Sequence, residues 1–66
     1  MGVFQMSTYR AYRLDERRRI RSAEWLEAPS DTAAKDLASE MCDEESAAVE
    51  LWQSKRLVDE VECPED

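Results

Sequence analysis

The sequence predicts an α+β domain, a four-stranded antiparallel sheet in strand–strand–helix–strand–strand order (ββαββ) with one helix packed on one face. Three observations carry this expectation. Between residues 29 and 45, Ala33, Ala34, Leu37, Ala38, Met41 and Cys42 recur at helical spacing and fall on one stripe. Two short runs with strand character precede that stretch and two follow it. At 66 residues the chain has material for one domain.

In chain order, residues 1–8 are expected to form a flexible extension, residues 9–63 the domain, and residues 64–66 a mobile acidic tail. Met6 offers an alternative start. The run YRAYRL at 9–14 is aromatic-rich and lacks Gly and Pro, with Tyr12 and Leu14 on one side and Tyr9 and Ala11 on the other. Residues 15–19 form a polar connection without the Asn-Gly or Asp-Gly of a standard two-residue turn. The run IRSAEWLE at 20–27 is a strand of mixed phase, because Ile20 starts one alternating set while Ala23 and Trp25 belong to the other. Either a bulge shifts the phase or both faces are partly covered.

Pro29 disfavours helical geometry at Ala28, and Ser30 or Asp31 is placed to cap the helix that follows. The acidic run Asp43-Glu44-Glu45 lies at the unfavourable end of the helix dipole and marks fraying into a loop. AVELWQ at 48–53 alternates cleanly, Ser54-Lys55 makes a turn, and RLVDEVEC at 56–63 places Leu57 and Val61 on one face before Pro64 ends the strand. The expected core is Tyr12, Leu14, Ile20, Leu37, Met41, Val49, Leu51, Leu57 and Val61.

YRAYRLD followed by RI, a short Ala-rich helix, VELWQ at 49–53 and RLV resembles a group of short alphaproteobacterial proteins with no assigned function. The resemblance spans roughly residues 9–61. It implies the ββαββ architecture and a bacterial cytosolic setting. The family's pattern carries Asp-Gly in the first turn, where this chain has Glu16-Arg17-Arg18-Arg19.

Composition narrows the function classes. The chain has no His, so the usual near-neutral proton carrier is absent. Its two Cys, without imidazole, cannot build a four-ligand structural zinc site, and a single Gly at position 2 rules out an EF-hand loop. Neither a cofactor nor a metal is expected. Cys42 lies on the apolar stripe beside acidic residues, which raise a thiol's pKa, so it suits a structural role better than a nucleophilic one. The expectation is a non-enzyme. No signal-peptide pattern or membrane-length apolar run is present, and Met at position 6 departs from the myristoylation pattern. A cytoplasmic protein with reduced thiols follows as the default, although sequence alone leaves a Cys42–Cys63 bond open.

The formal net charge of −7 combines +4 over residues 1–23 with −11 over residues 24–66. The six arginines Arg10, Arg13, Arg17, Arg18, Arg19 and Arg21, with Tyr9 and Tyr12, form a candidate basic patch. The acidity of the whole chain argues against nucleic acid and for pairing of these arginines with Glu24, Glu27, Glu50, Glu60 and Glu62. One helix covers one sheet face, so Tyr9, Ala11, Trp25 and Trp52 are the candidate interaction surface of the other. The expected function is a small interaction module whose partner is another protein or a second copy, a homodimer joined through the sheet face. The alternative is an acidic inhibitor, antitoxin-like, that blocks a basic nucleic-acid-binding partner.

Overall fold

The helix starts at the expected cap. In the computed structural model, which describes residues 5–64, Ser30 is extended and its Oγ accepts a hydrogen bond from the Ala33 N–H at 3.1 Å. That bond satisfies one of the free donors of the first turn. The helix α1 spans Asp31–Glu40 and stops short of residue 45. No basic residue stands in its last turn to offset the dipole. Asp43 instead turns its carboxylate onto the Glu45 N–H at 3.0 Å, a local bond that competes with helical geometry.

Four strands, β1 (Ser7–Leu14), β2 (Ile20–Ala28), β3 (Ala48–Gln53) and β4 (Arg56–Glu62), pair antiparallel in the order β2-β1-β3-β4. The fold is therefore the expected ββαββ sheet with one helix. Ser7 and Thr8, expected in the N-terminal extension, extend β1 and pair with Ala28 and Glu27. The first four residues of that extension and the last two of the acidic tail lie outside the described residues.

The first hairpin manages without Asp-Gly. Asp15 and Arg19 close the loop through Asp15 N–H to Arg19 O at 3.0 Å, and Asp15 Oδ1 accepts from the Arg17 and Arg19 N–H groups at 2.8 and 2.9 Å. These bonds hold Arg18 at φ 66°, a left-handed value that costs a non-Gly residue about 1–2 kcal/mol. Ser54 takes φ 54° in the second hairpin.

Alternation along β1 fixes which face meets α1. Tyr9 and Ala11 point to the helix side, with Leu26 opposite Tyr9 and Leu51 opposite Ala11. The helix approaches through Ala34 and Ala38, both fully buried, and the core adds Ala28, Met41, Val49, Leu51 and Cys63. This corrects the expected core in four places. Tyr12 lies on the other face, because Tyr9 and Ala11 take the helix-facing positions of β1. Ile20 is 60% exposed and Leu57 47%, each moved by a bulge. In β2 the phase shift resolves as one extra residue, Arg21, between the pairs Arg13–Ser22 and Leu14–Ile20. In β4 the extra residue is Val58, between Leu51–Asp59 and Trp52–Leu57. Val58 packs against the core and Leu57 joins Trp52 on the open face. Leu37 is 38% exposed, because the alanines occupy the helix–sheet contact.

Cys42 and Cys63 are joined by a disulfide with a Cα separation of 5.5 Å, and the described residues hold no free cysteine. The expectation of reduced thiols is overturned by tertiary proximity. Cys63 N–H donates to Ala47 O at 2.9 Å, which brings the end of β4 beside the segment that leaves the helix.

Closing a loop of 21 residues stabilises the domain by about 3 kcal/mol on the chain-entropy account. Reduction, or the Cys42→Ser/Cys63→Ser pair, is therefore expected to lower unfolding free energy by about 2–4 kcal/mol, read from urea midpoints. Ser54→Gly is expected to raise it by about 0.5–1 kcal/mol by removing the left-handed penalty, and an unchanged midpoint would show that the turn is unstrained.

Candidate functional site

Among the described residues, no helix or strand covers the sheet face away from α1. Its centre is the cross-strand row Trp25–Arg10–Trp52, contributed by β2, β1 and β3. The Arg10 guanidinium carbon lies 4.6 Å from the Trp25 ring centroid and 5.5 Å from that of Tyr12, so the cation stacks on two aromatic faces. Trp25 is nonetheless 66% exposed. Trp52 donates its indole N–H to Glu50 Oε1 at 3.2 Å. These residues, with Ile20 and Ser54, line a shallow cleft of about 420 Å³. Trp25 and Trp52 thus share this face, whereas Tyr9 and Ala11 do not. Those two are buried beneath the helix, the face assignment of β1 being the reverse of the one expected for them.

The candidate basic patch does not assemble. Arg13 reaches the helix side, where it donates to Met41 O at 2.8 Å and pairs with Glu24 at 2.5 Å. Arg18 bonds Glu60 and lies 3.9 Å from Glu50. Arg19 pairs with Asp15, and Arg21 with Glu45 at 2.5 Å. Of the five acids expected to pair with these arginines, Glu24, Glu50 and Glu60 do so, whereas Glu27 and Glu62 make no ion pair among the described residues, nor does Arg17. Among the described residues, Arg10 makes no ion pair or hydrogen bond, and its Nε is shielded from water.

At the other end of the molecule a larger groove, about 960 Å³, runs beside the disulfide. Its rim carries Glu16, Asp43, Glu44, Glu45 and Glu62, with Arg18 the one cation among its lining residues. Among the described residues no group of three or more His, Cys, Asp or Glu is arranged to hold a metal ion, and no helix is long and apolar enough to cross a membrane.

On the helix side, Tyr9 Oη donates to Asp31 Oδ1 at 2.7 Å, and Arg56 grips both Asp31 oxygens at 3.2 Å. Arg56 and then Tyr9 hold the Asp31 carboxyl below its ordinary value. The same bond to Asp31, then burial, pushes the Tyr9 phenol up. Lys35, 2.8 Å away, lowers Asp59, and the backbone N–H groups of the first turn lower Asp15. The Tyr9–Asp31–Arg56 cluster was hidden in the sequence, since its members lie 22 and 25 residues apart.

The chain matches no protein-family model, no curated protein and no solved structure.

The lowered Asp carboxyls bind protons more tightly when unfolded than when folded. Their stabilisation is full above the ordinary Asp value of about 3.9 and is lost as pH falls through the folded values below it. The raised Tyr9 phenol acts in the opposite sense, its contribution being full below about 10 and lost as pH rises beyond. Urea midpoints measured against pH are expected to fall at both extremes. Asp31→Asn should flatten the acid limb and Tyr9→Phe the alkaline one, and limbs unmoved by either variant would contradict the assignment.

Proposed function

We propose that this chain is a small, non-catalytic protein-interaction module that self-associates through its open sheet face. The supporting observation is the exposure of Trp25 at 66%, Ile20 at 60% and Leu57 at 47% on the face that α1 leaves uncovered. Large apolar side chains gathered on one face favour association, because burying each is worth about 1.5–3 kcal/mol. Tryptophan beside arginine is also the composition in which binding hot spots are enriched.

The acidic inhibitor reading draws on a different surface, the groove beside the disulfide with its rim of five carboxylates. A basic partner would dock there by charge and leave the tryptophans untouched. As to compartment, the cytoplasm keeps thiols reduced, so the Cys42–Cys63 bond supports an oxidising setting over the cytoplasmic one expected from the sequence.

Sedimentation equilibrium of the oxidised chain is expected to show a concentration-dependent dimer, with tryptophan emission moving to the red on dilution. Trp25→Ser should weaken the dimer by about thirtyfold, the effect of a hot spot of about 2 kcal/mol, while Glu44→Lys/Glu45→Lys leaves it unchanged. A folded monomer at every concentration, with readily quenched tryptophan emission, would overturn the proposal.

A further inference from the structure

We propose that the occupant of the Arg10 cleft is a second copy of this chain, docked face to face about a two-fold axis so that Arg10 of each copy pairs with Glu50 of the other. The inference rests on the self-association reading and adds to it the register and the charge pair that fix the contact.

Among the described residues Arg10 is the cation with a buried nitrogen that lacks a partner, whereas Arg17 and Lys55, also without a carboxylate within 4 Å, are exposed to water. Arg13, Arg18, Arg19, Arg21, Lys35 and Arg56 all have carboxylate partners within 4 Å, in a chain with 16 acids and 9 bases. Arg10 has none among the described residues, and its Nε is shielded from water without a hydrogen-bond partner. A guanidinium N–H buried without an acceptor is costly unless a further group supplies one. Stacking on Trp25 and Tyr12 fixes its plane, so little rotamer freedom remains to be lost on docking.

The acceptor is available on the neighbouring strand. Arg10 is opposite Trp52 and Tyr12 is opposite Glu50, so Arg10 and Glu50 sit diagonally, two residues apart, on the two inner strands of the sheet. An isologous interface requires that when residue i meets j, residue j also meets i. A cation and an anion placed side by side near the middle of one face satisfy that condition. The rotation that sets Arg10 over the second copy's carboxylate sets Glu50 over the second copy's guanidinium. Glu50 accepts one hydrogen bond from Trp52 and lies 3.9 Å from Arg18, which leaves acceptor positions on its carboxylate.

Area and charge agree with this occupant. A standard interface takes about 800 Å² from each partner, about a sixth of the 5020 Å² surface of this chain, and the sheet has a whole broad face to offer. Each copy carries a net −7, so two copies repel at long range, and central opposite-charge pairs supply the local attraction that selects one register.

The test is a charge exchange read by sedimentation equilibrium, with far-UV circular dichroism confirming the fold of each variant. Arg10→Glu alone and Glu50→Arg alone should each weaken the homodimer at least about tenfold through like-charge contact. An equimolar mixture of the two should form a heterodimer, and the Arg10→Glu/Glu50→Arg double variant should regain the homodimer. Single variants that dimerise like the parent, or folded singles that fail to associate when mixed, overturn the pairing while leaving self-association standing. A parent chain that stays monomeric overturns both readings. If its tryptophan emission also shifts on titration with poly-glutamate, the face belongs to an acidic partner instead.

Discussion

The close seating of α1 on the sheet is the contact from which the other features follow. Ala34 and Ala38 of the helix and Ala11 and Ala28 of the sheet are all completely buried. Small side chains at these four positions let the two layers approach closely. The consequence is a core poor in large side chains, in which Tyr9, Leu51 and Val49 are the largest that are fully buried. A domain of this size has a thin margin over chain entropy in any case, and an alanine interface reduces the apolar area it can bury. The disulfide supplies part of what the core does not.

The helix is also tied down at both ends. At its start, Asp31 is held by Tyr9 from β1 and Arg56 from the start of β4. At its end, Met41 O accepts from Arg13 of β1, and Cys42 is bonded to Cys63 just beyond β4. Both ties are polar or covalent. The two tryptophans lie on the far side because each stands opposite Arg10, in the alternating set that Tyr9 and Ala11 leave to the open face.

The arginines show how a local charge run is redistributed by folding. In sequence they form one basic block. In three dimensions strand alternation sends Arg13 to the helix side and Arg10 to the open face, and the turn carries Arg18 across to Glu60. Arg13, Arg18 and Arg21 neutralise acids from other segments, while Arg19 pairs with Asp15 inside its own turn. What survives as a distinctive feature is a single stacked guanidinium in an aromatic setting, chemically far more selective than a basic patch.

The sequence by itself determined the order and kind of the elements, because helical and strand periodicities, the Ser30 cap and the Pro29 break are local properties. It also determined that one helix leaves a sheet face uncovered. It did not determine which alternating set of β1 meets the helix, since each set offers one tyrosine and one aliphatic residue, and the more apolar pair, Tyr12/Leu14, is not the one that faces α1. The extra residues Arg21 and Val58 reversed the phase of part of β2 and β4; the mixed pattern of β2 left a bulge as one of two readings, whereas β4 carried no such sign. The disulfide, the Tyr9–Asp31–Arg56 cluster and the isolation of Arg10 were likewise decided only by tertiary structure. Each depends on segments brought together across the sheet, and on distances that no local pattern encodes.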